Sequence, residues 1–101
     1  MKEQDINNFP VITLIKVAEK NRKKLRVGSK RKFNLGVFPS EGSPVRKARE
    51  KKSSVGCHME KIKYDPVTSK VLRIELLGNT GIEIETINSI YYMFPIPRFN
   101  S

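Results

Sequence analysis

The sequence is poor in the residues that enzymes and metal proteins use for chemistry. Its 101 residues include one cysteine, Cys57, one histidine, His58, and no tryptophan. A single cysteine excludes a disulfide within the chain, and a zinc site needs more cysteine or histidine ligands than are present. Adjacent side chains of a strand point to opposite faces. We therefore expect Cys57 and His58 to be one buried and one exposed strand residue rather than a catalytic pair.

The carboxylates and glycines do not form a recognisable site either. Glu83 and Glu85 would share one face of a strand, but no base or metal partner lies nearby in the sequence, which favours a solvated sheet face. Gly28 and Gly42 are isolated and do not form a phosphate-binding loop of known spacing. The sequence therefore predicts no catalytic residues, no metal ligands and no cofactor, and a protein that is not an enzyme.

The chain also lacks long apolar runs. The longest, such as Val11–Ile15, are too short to cross a bilayer. The opening segment, MKEQDINNFP, has acids at positions 3 and 5 and no apolar stretch after a basic one, unlike a secretory signal or an organelle presequence. Met1 is expected to be the working start of the protein.

Positive charge is what the chain has in excess. It carries 20 lysines and arginines against 10 acids, a net charge of +10. Residues 16–52 contain 14 basic and three acidic residues, a local net of +11, whereas residues 53–101 contain five of each. Such asymmetry is typical of a surface that binds nucleic acid or an anionic membrane. Because no amphipathic helix carries the charges, nucleic acid is favoured and no membrane partner is expected.

The basic residues form two clusters on either side of a short apolar segment, FNLGVF. One charge run alone is usually a solvated surface, but two clusters beside a β element favour nucleic acid. Lysine and arginine bind phosphates while a neighbouring aromatic such as Phe33 stacks on a base or sugar. The candidate RNA-binding residues of the first cluster are Arg22, Lys23, Lys24, Arg26, Lys30, Arg31 and Lys32. Those of the second cluster, expected to order on RNA, are Arg46, Lys47, Arg49, Lys51 and Lys52.

Alternation of apolar and polar residues predicts an antiparallel sheet in the second half of the chain. The alternation recurs in three segments, at 59–64, 71–77 and 82–87. Asp65-Pro66 is expected to begin a turn between the first two segments. Gly78–Gly81 is expected to form a hairpin loop of residues that tolerate positive φ. The predicted architecture is a small, mostly β, barrel-like domain.

The first half of the chain is predicted to contribute less to this domain. FNLGVF, at 33–38, is expected to be a short strand with Gly36 at a bulge or a close approach. Val11–Val17 is open between a strand and an arm packed on a partner. The predicted division is an N-terminal arm at 1–20, an RNA-binding domain at 21–94 with a basic loop or disordered insertion at 39–54, and a C-terminal tail at 95–101. Ile96–Phe99 is expected to dock on a neighbouring chain or in an rRNA groove.

Residues 59–76, MEKIKYDPVTSKVLRIEL, resemble the N-terminal domain of the large-ribosomal-subunit protein two family. That family has a Glu-basic-Ile-x-Tyr-Asp-Pro segment, a serine three residues after the proline, and then an alternating apolar strand. The matching residues are Glu60, Lys61, Ile62, Tyr64, Asp65, Pro66 and Ser69, followed by Leu72, Ile74 and Leu76. Gly28-Ser29-Lys30-Arg31 before Phe33 resembles the family's glycine turn and basic run. The family's Asn-Arg after the proline is replaced here by Val67-Thr68.

This resemblance implies the fold class, which is mostly β: a small OB-like antiparallel barrel with basic loops and extended N- and C-terminal arms. It implies a structural constituent of the large ribosomal subunit that binds rRNA, in the mitochondrial matrix or alternatively in the cytoplasm. Family members continue into a second domain, so it also implies the N-terminal half of a split protein. Its partners would be rRNA, neighbouring ribosomal proteins and a separately encoded C-terminal half. The alternative is a small phage or host regulatory protein that binds DNA or an acidic protein partner.

Overall fold

The structure, a computed structural model, describes residues 6–20, 27–51 and 61–99. In these ranges the chain forms a short 3₁₀ helix at Ile6–Asn8 and six strands that pair antiparallel. The strands are β1 (Val11–Glu19), β2 (Lys30–Asn34), β3 (Pro44–Lys51), β4 (Lys61–Leu77), β5 (Gly81–Thr86) and β6 (Ser89–Phe94).

The six strands form a nearly closed barrel. Their order in the sheet is β2-β1-β6-β5-β4-β3. The two ends of this sheet meet where Leu35 bridges Lys47, and where the Gly36 N–H donates to the Arg46 carbonyl at 2.9 Å. The mostly β fold class and the small antiparallel, OB-like barrel are therefore confirmed. The strands follow chain order around this barrel, whereas the OB fold proper connects five strands as a Greek key.

The core lies inside the barrel and draws residues from every strand except β2, whose Phe33 packs against it. Alternation along each strand turns one set of side chains inward. The buried apolar residues of this core are Ile12, Leu14, Leu35, Val45, Val71, Ile82, Ile84 and Met93. Each fully buried aliphatic side chain contributes about 1.5–3 kcal/mol to folding. The buried hydroxyl of Thr86 donates to the Ser89 carbonyl at 2.9 Å and accepts from the Ser89 N–H at 3.0 Å, which closes the turn between β5 and β6.

The predicted turn at Asp65-Pro66 is wrong, because both residues lie inside the 17-residue strand β4. The first part of β4 pairs with β3 as far as Pro66 and again at Lys70 after a register shift, and the second part pairs with β5 from Val71 onward. Between these parts the ladder is irregular, and the Thr68 hydroxyl accepts the Val45 N–H at 3.1 Å. Proline is tolerated at such an irregularity because its missing N–H is not required there.

The predicted loop or disordered insertion at 39–54 is wrong over Pro44–Lys51, which is β3. Its composition is polar and charged, but β4 pairs with its backbone, and Val45 and Ala48 are buried. Beyond the barrel, β3 and the first part of β4 continue as a two-stranded ribbon, defined here as residues 46–51 and 61–66. The prediction that this segment orders only on RNA is therefore wrong for its described part.

The predicted boundaries also change at both ends of the domain. The arm predicted at 1–20 contains β1, which lies in the sheet between β2 and β6. In the tail, Ile96 packs against the core and Pro97 is buried. Both residues lie on their own barrel, so the docking predicted for them on a neighbour is wrong. Phe99 is exposed.

Two glycine predictions are confirmed. A Cβ atom at Gly36 would lie 2.6 Å from the Tyr64 ring and 3.3 Å from the Arg46 carbonyl oxygen, so the backbones approach closely where the barrel closes. Gly78 has a φ of +58° in the hairpin loop between β4 and β5. That backbone conformation favours glycine because it has no side chain.

Candidate nucleic-acid interface

The described residues of the first basic cluster lie on a strand rather than in a loop. Lys30, Arg31 and Lys32 are all exposed on β2. In the pairing with β1, Arg31 lies opposite buried Leu14. Directly opposite residues share a face, so Arg31 is on the interior side of the barrel and its two neighbours are on the outer side. The strand thus places neighbouring residues of one basic run on two different sides of the sheet.

The remaining residues of that cluster are not placed. Arg22, Lys23, Lys24 and Arg26 lie outside the described residues, as does Lys52 of the second cluster. The charged surface described below is therefore built from β2, β3 and β4.

The second cluster forms one face of the ribbon. The register pairs Lys47 with Asp65 and Arg49 with Lys63, so these four residues share a face, which we call the cationic ribbon face. It carries three positive charges and one negative charge. Farther along, the register also places Lys51 opposite Lys61. Arg46, the other predicted residue, alternates to the opposite face together with Ala48.

The opposite face of the ribbon is packed. Ala48 is buried and lies across from Tyr64. The Tyr64 ring meets the Phe9 ring edge-on, with 6.0 Å between the centroids, and covers Gly36. The ribbon is therefore anchored to the barrel by one face, and its cationic face is left to solvent.

A single carboxylate offsets the charge of the cationic ribbon face. Nε of Arg49 donates to Oδ2 of Asp65 at 2.7 Å. This hydrogen bond is the main cause of a lowered Asp65 pKa, and the positive charges of Arg49, Lys63 and Lys47 lower it further against the opposing effect of desolvation. Asp65 is therefore ionised at neutral pH and engages Arg49. The charges of Lys47 and Lys63 are not balanced on this face.

The opposition of Arg49 and Lys63 is unfavourable for the isolated protein, since like charges directly across a strand pair destabilise a sheet. A second like-charge pair, Glu75 opposite Glu83, lies on the outer face of β4 and β5. There Arg73 forms ion pairs with both carboxylates, at 3.5 Å to Glu83, and with Glu85 at 3.2 Å. The acidic pair is neutralised by Arg73. In the basic pair Asp65 engages Arg49, and the charge of Lys63 is left unbalanced.

Lys63 is the functional candidate that the sequence did not reveal. It belongs to the half of the chain with five basic and five acidic residues, so charge counting gives it no weight. Its importance comes from the β3–β4 register, which sets it against Arg49. The available signal was the alternation Lys61, Lys63, Asp65, which places these residues on one face of a strand.

The described residues do not assemble a metal site. No group of three or more histidines, cysteines or acids lies close enough within 6–20, 27–51 and 61–99 to hold an ion. Cys57 and His58 lie outside these ranges. In the same part of the chain, no helix has the length and apolar character needed to span a membrane. Glu83 and Glu85, considered above as a carboxylate pair, both contact Arg73.

Comparison with known proteins gave no match for this chain. It matches no family model, no curated protein and no solved structure at a significant level. The resemblance of residues 59–76 to a ribosomal protein family stays a prediction from the sequence.

Proposed function

We propose that the protein binds RNA, without catalysing a reaction, through the cationic ribbon face. The observation that carries this proposal is the unbalanced charge of exposed Lys63, which lies directly opposite Arg49 and on the same face as Lys47, with Asp65 as the one carboxylate of that face. A polyanion placed along this face would offset the repulsion and gain favourable contacts to phosphates. Neutral or cationic ligands would do neither.

The exposed end of β2 lies toward the same end of the molecule as this face. At the Leu35–Lys47 bridge the two strands are antiparallel, so moving back along β2 and forward along β3 leads in the same direction. At about 3.3 Å per residue, Lys32 lies about 10 Å from the bridge along β2 and Arg49 about 7 Å along β3. Both groups of cations therefore lie toward the same end of the molecule. Lys32 is on the outer side of the sheet there, whereas Lys47, opposite buried Leu35, is on the interior side with Arg31.

RNA as the polyanion, and large-subunit rRNA in particular, is supported by the sequence resemblance around Tyr64–Pro66. On this proposal the protein is a structural constituent of the large ribosomal subunit, next to other ribosomal proteins. The mitochondrial location and the split-protein arrangement rest on the resemblance alone and stay predictions.

DNA is the second candidate ligand, and the ribbon itself favours it. The major groove of B-DNA is about 12 Å wide and admits a two-stranded β-ribbon, whereas the major groove of A-form RNA is too deep and narrow for side chains to read. A regulatory protein could insert the ribbon into that groove. RNA binding would instead use the cationic ribbon face against exposed backbone phosphates.

The test is binding of the full chain to an RNA duplex and a DNA duplex of equal length and sequence, from 50 to 300 mM salt. RNA binding with about six phosphate contacts predicts a slope of log affinity against log salt of about −4 to −5. A slope near zero for both duplexes would refute polyanion binding. A strong preference for the DNA duplex would favour the second candidate. Sedimentation of native lysate with detection of this chain tests the ribosomal role, because a constituent co-sediments with large subunits.

A further inference from the structure

A cavity opens at one end of the barrel, beside the irregular part of β4 at Val67. Its volume is about 240 Å³, and it is lined by Leu14, Lys16, Ser29, Arg31, Val67 and Tyr91. We call it the barrel-mouth cavity. It is larger than a few waters need, at about 30 Å³ each, and smaller than the 300–1,000 Å³ of sites for drug-sized ligands. Its size suits one planar group rather than a large molecule.

The lining of the cavity combines charged and polar side chains with apolar ones. Lys16 lies opposite Tyr91, and Nζ of Lys16 is 5.9 Å from the centroid of the Tyr91 ring. The same amine contacts Oε1 of Glu19 at 3.4 Å, and that oxygen accepts from the Ser89 hydroxyl at 3.1 Å. The Lys16 charge is thus held in place and largely offset by Glu19.

Arg31 supplies a second positive charge at the cavity, and no described carboxylate offsets this charge. It is exposed, and within the described residues its guanidinium has no hydrogen-bond or ion-pair partner. The surfaces beside it are of a different kind: the aromatic ring of Tyr91 and the apolar side chains of Leu14 and Val67. The cavity therefore combines a free cation with an apolar and aromatic wall, which fits a ligand with an anionic group joined to a flat ring.

We propose that the barrel-mouth cavity binds one unpaired nucleotide of the RNA, with its base against Tyr91 and Val67 and its phosphate at Arg31. This inference rests on the proposed function. Single-stranded bases are commonly recognised by stacking on an aromatic side chain while a nearby arginine binds the backbone. It predicts that the protein distinguishes an RNA with an unpaired nucleotide from a fully paired RNA, which the cationic ribbon face alone does not.

The experiment compares two RNA duplexes, one fully paired and one with a single bulged 2-aminopurine. The full chain should bind the bulged duplex at least about 5-fold more tightly, the lower end of the effect of one stacked base, and should quench the 2-aminopurine fluorescence. Tyr91→Leu and Arg31→Gln should each remove most of the preference. Tyr91→Phe, which retains the ring, should keep it. Lys30→Gln removes a neighbouring charge from the other face of β2 and should lower both affinities equally.

The outcomes separate this inference from RNA binding itself. Equal binding of the two duplexes, or a preference that survives both Tyr91→Leu and Arg31→Gln, overturns the cavity proposal and leaves RNA binding standing. Failure to bind either duplex overturns the proposed function. Because Tyr91 packs partly against the core, circular dichroism checks that its variants fold. If Tyr91→Leu does not fold, Arg31→Gln decides the matter, since Arg31 is exposed.

Discussion

Removing the two unbalanced charges of the cationic ribbon face should weaken RNA binding and reduce its dependence on salt concentration. The change is Lys47→Gln together with Lys63→Gln. It leaves the 2.7 Å hydrogen bond between Arg49 and Asp65 in place, so the geometry of the ribbon is retained. The two glutamines keep most of the length of the side chains and remove only their charge.

The size of the effect follows from counterion release. Each phosphate contact contributes about −0.7 to −0.9 to the slope of log affinity against log salt. Two lost contacts should therefore change a slope of about −4 to −5 to about −3 to −3.5. Between 50 and 200 mM salt, the wild-type protein should lose about tenfold more affinity than the double variant does.

Fluorescence anisotropy with a labelled RNA duplex over this salt range measures both slopes. The matched control is Lys70→Gln, which removes one exposed lysine charge from the same strand but lies opposite Pro44, away from the cationic ribbon face. Its slope should equal that of the wild type. An unchanged slope in the double variant, or an equal change in the control, would refute an interface at this face and leave only diffuse attraction by net charge.

The same double variant separates binding from folding. Lys63 opposes Arg49, and like charges across a strand pair are unfavourable. Both lysines also attract Asp65, so the favourable and unfavourable effects oppose each other. Loss of the two charges should therefore change the melting temperature little, even though binding falls. A large drop in melting temperature would mean that these lysines serve the fold rather than a ligand.

Three further predictions follow from other contacts. Asp65→Asn should raise RNA affinity severalfold in the same anisotropy assay, because it frees Arg49 and removes the one negative charge of the cationic ribbon face. Unchanged or weaker RNA binding would contradict this prediction. Gly36→Ala should lower the free energy of unfolding by about 1–3 kcal/mol in urea melts, because its Cβ would lie 2.6 Å from the Tyr64 ring. An unchanged free energy of unfolding would show that the structure adjusts easily where the barrel closes. Arg73→Met should lower the melting temperature at pH 7 and much less near pH 3. Lys20 and Arg73 hold the Glu85 pKa below its ordinary value of 4.5. The stabilisation from this interaction is therefore present above pH 4.5 and is lost as the pH falls through the lowered pKa. A melting temperature lowered equally at both pH values would contradict this account.

The sequence predicted the fold class because the alternation of β4 and β5 is strong and local. The hairpin at Gly78 and the close approach at Gly36 were predicted for the same reason, as each depends on the conformation or size of one residue. The prediction of a turn at Asp65-Pro66 was wrong, although these residues are typical of turns. Pairing with β3 holds the chain extended there, and an irregular ladder after the proline accommodates it.

The cationic ribbon face was predicted only in outline, since charge clusters in the sequence do not show which side chains share a face. Composition assigned Arg46 and Lys47 to one patch, but alternation along β3 separates them. Lys63 was missed because its effect depends on a partner 14 positions away, which only the register identifies. The barrel-mouth cavity likewise joins Arg31 and Tyr91 from distant parts of the chain. Both features come from strand pairing, which local patterns do not determine.

The packed face of the ribbon explains how the fold tolerates repulsion between positive charges on the other face. Ala48 is buried, and Tyr64 holds the ribbon on the barrel through contacts with Phe9 and Gly36, so its position does not depend on a ligand. A surface that is already ordered loses little conformational entropy when it binds, and more of the phosphate attraction then appears as affinity. A disordered basic loop of the same composition would spend part of that attraction on its own ordering. If the protein binds RNA as proposed, the strand structure of β3 makes the unbalanced charges of Lys47 and Lys63 more effective than their number alone implies.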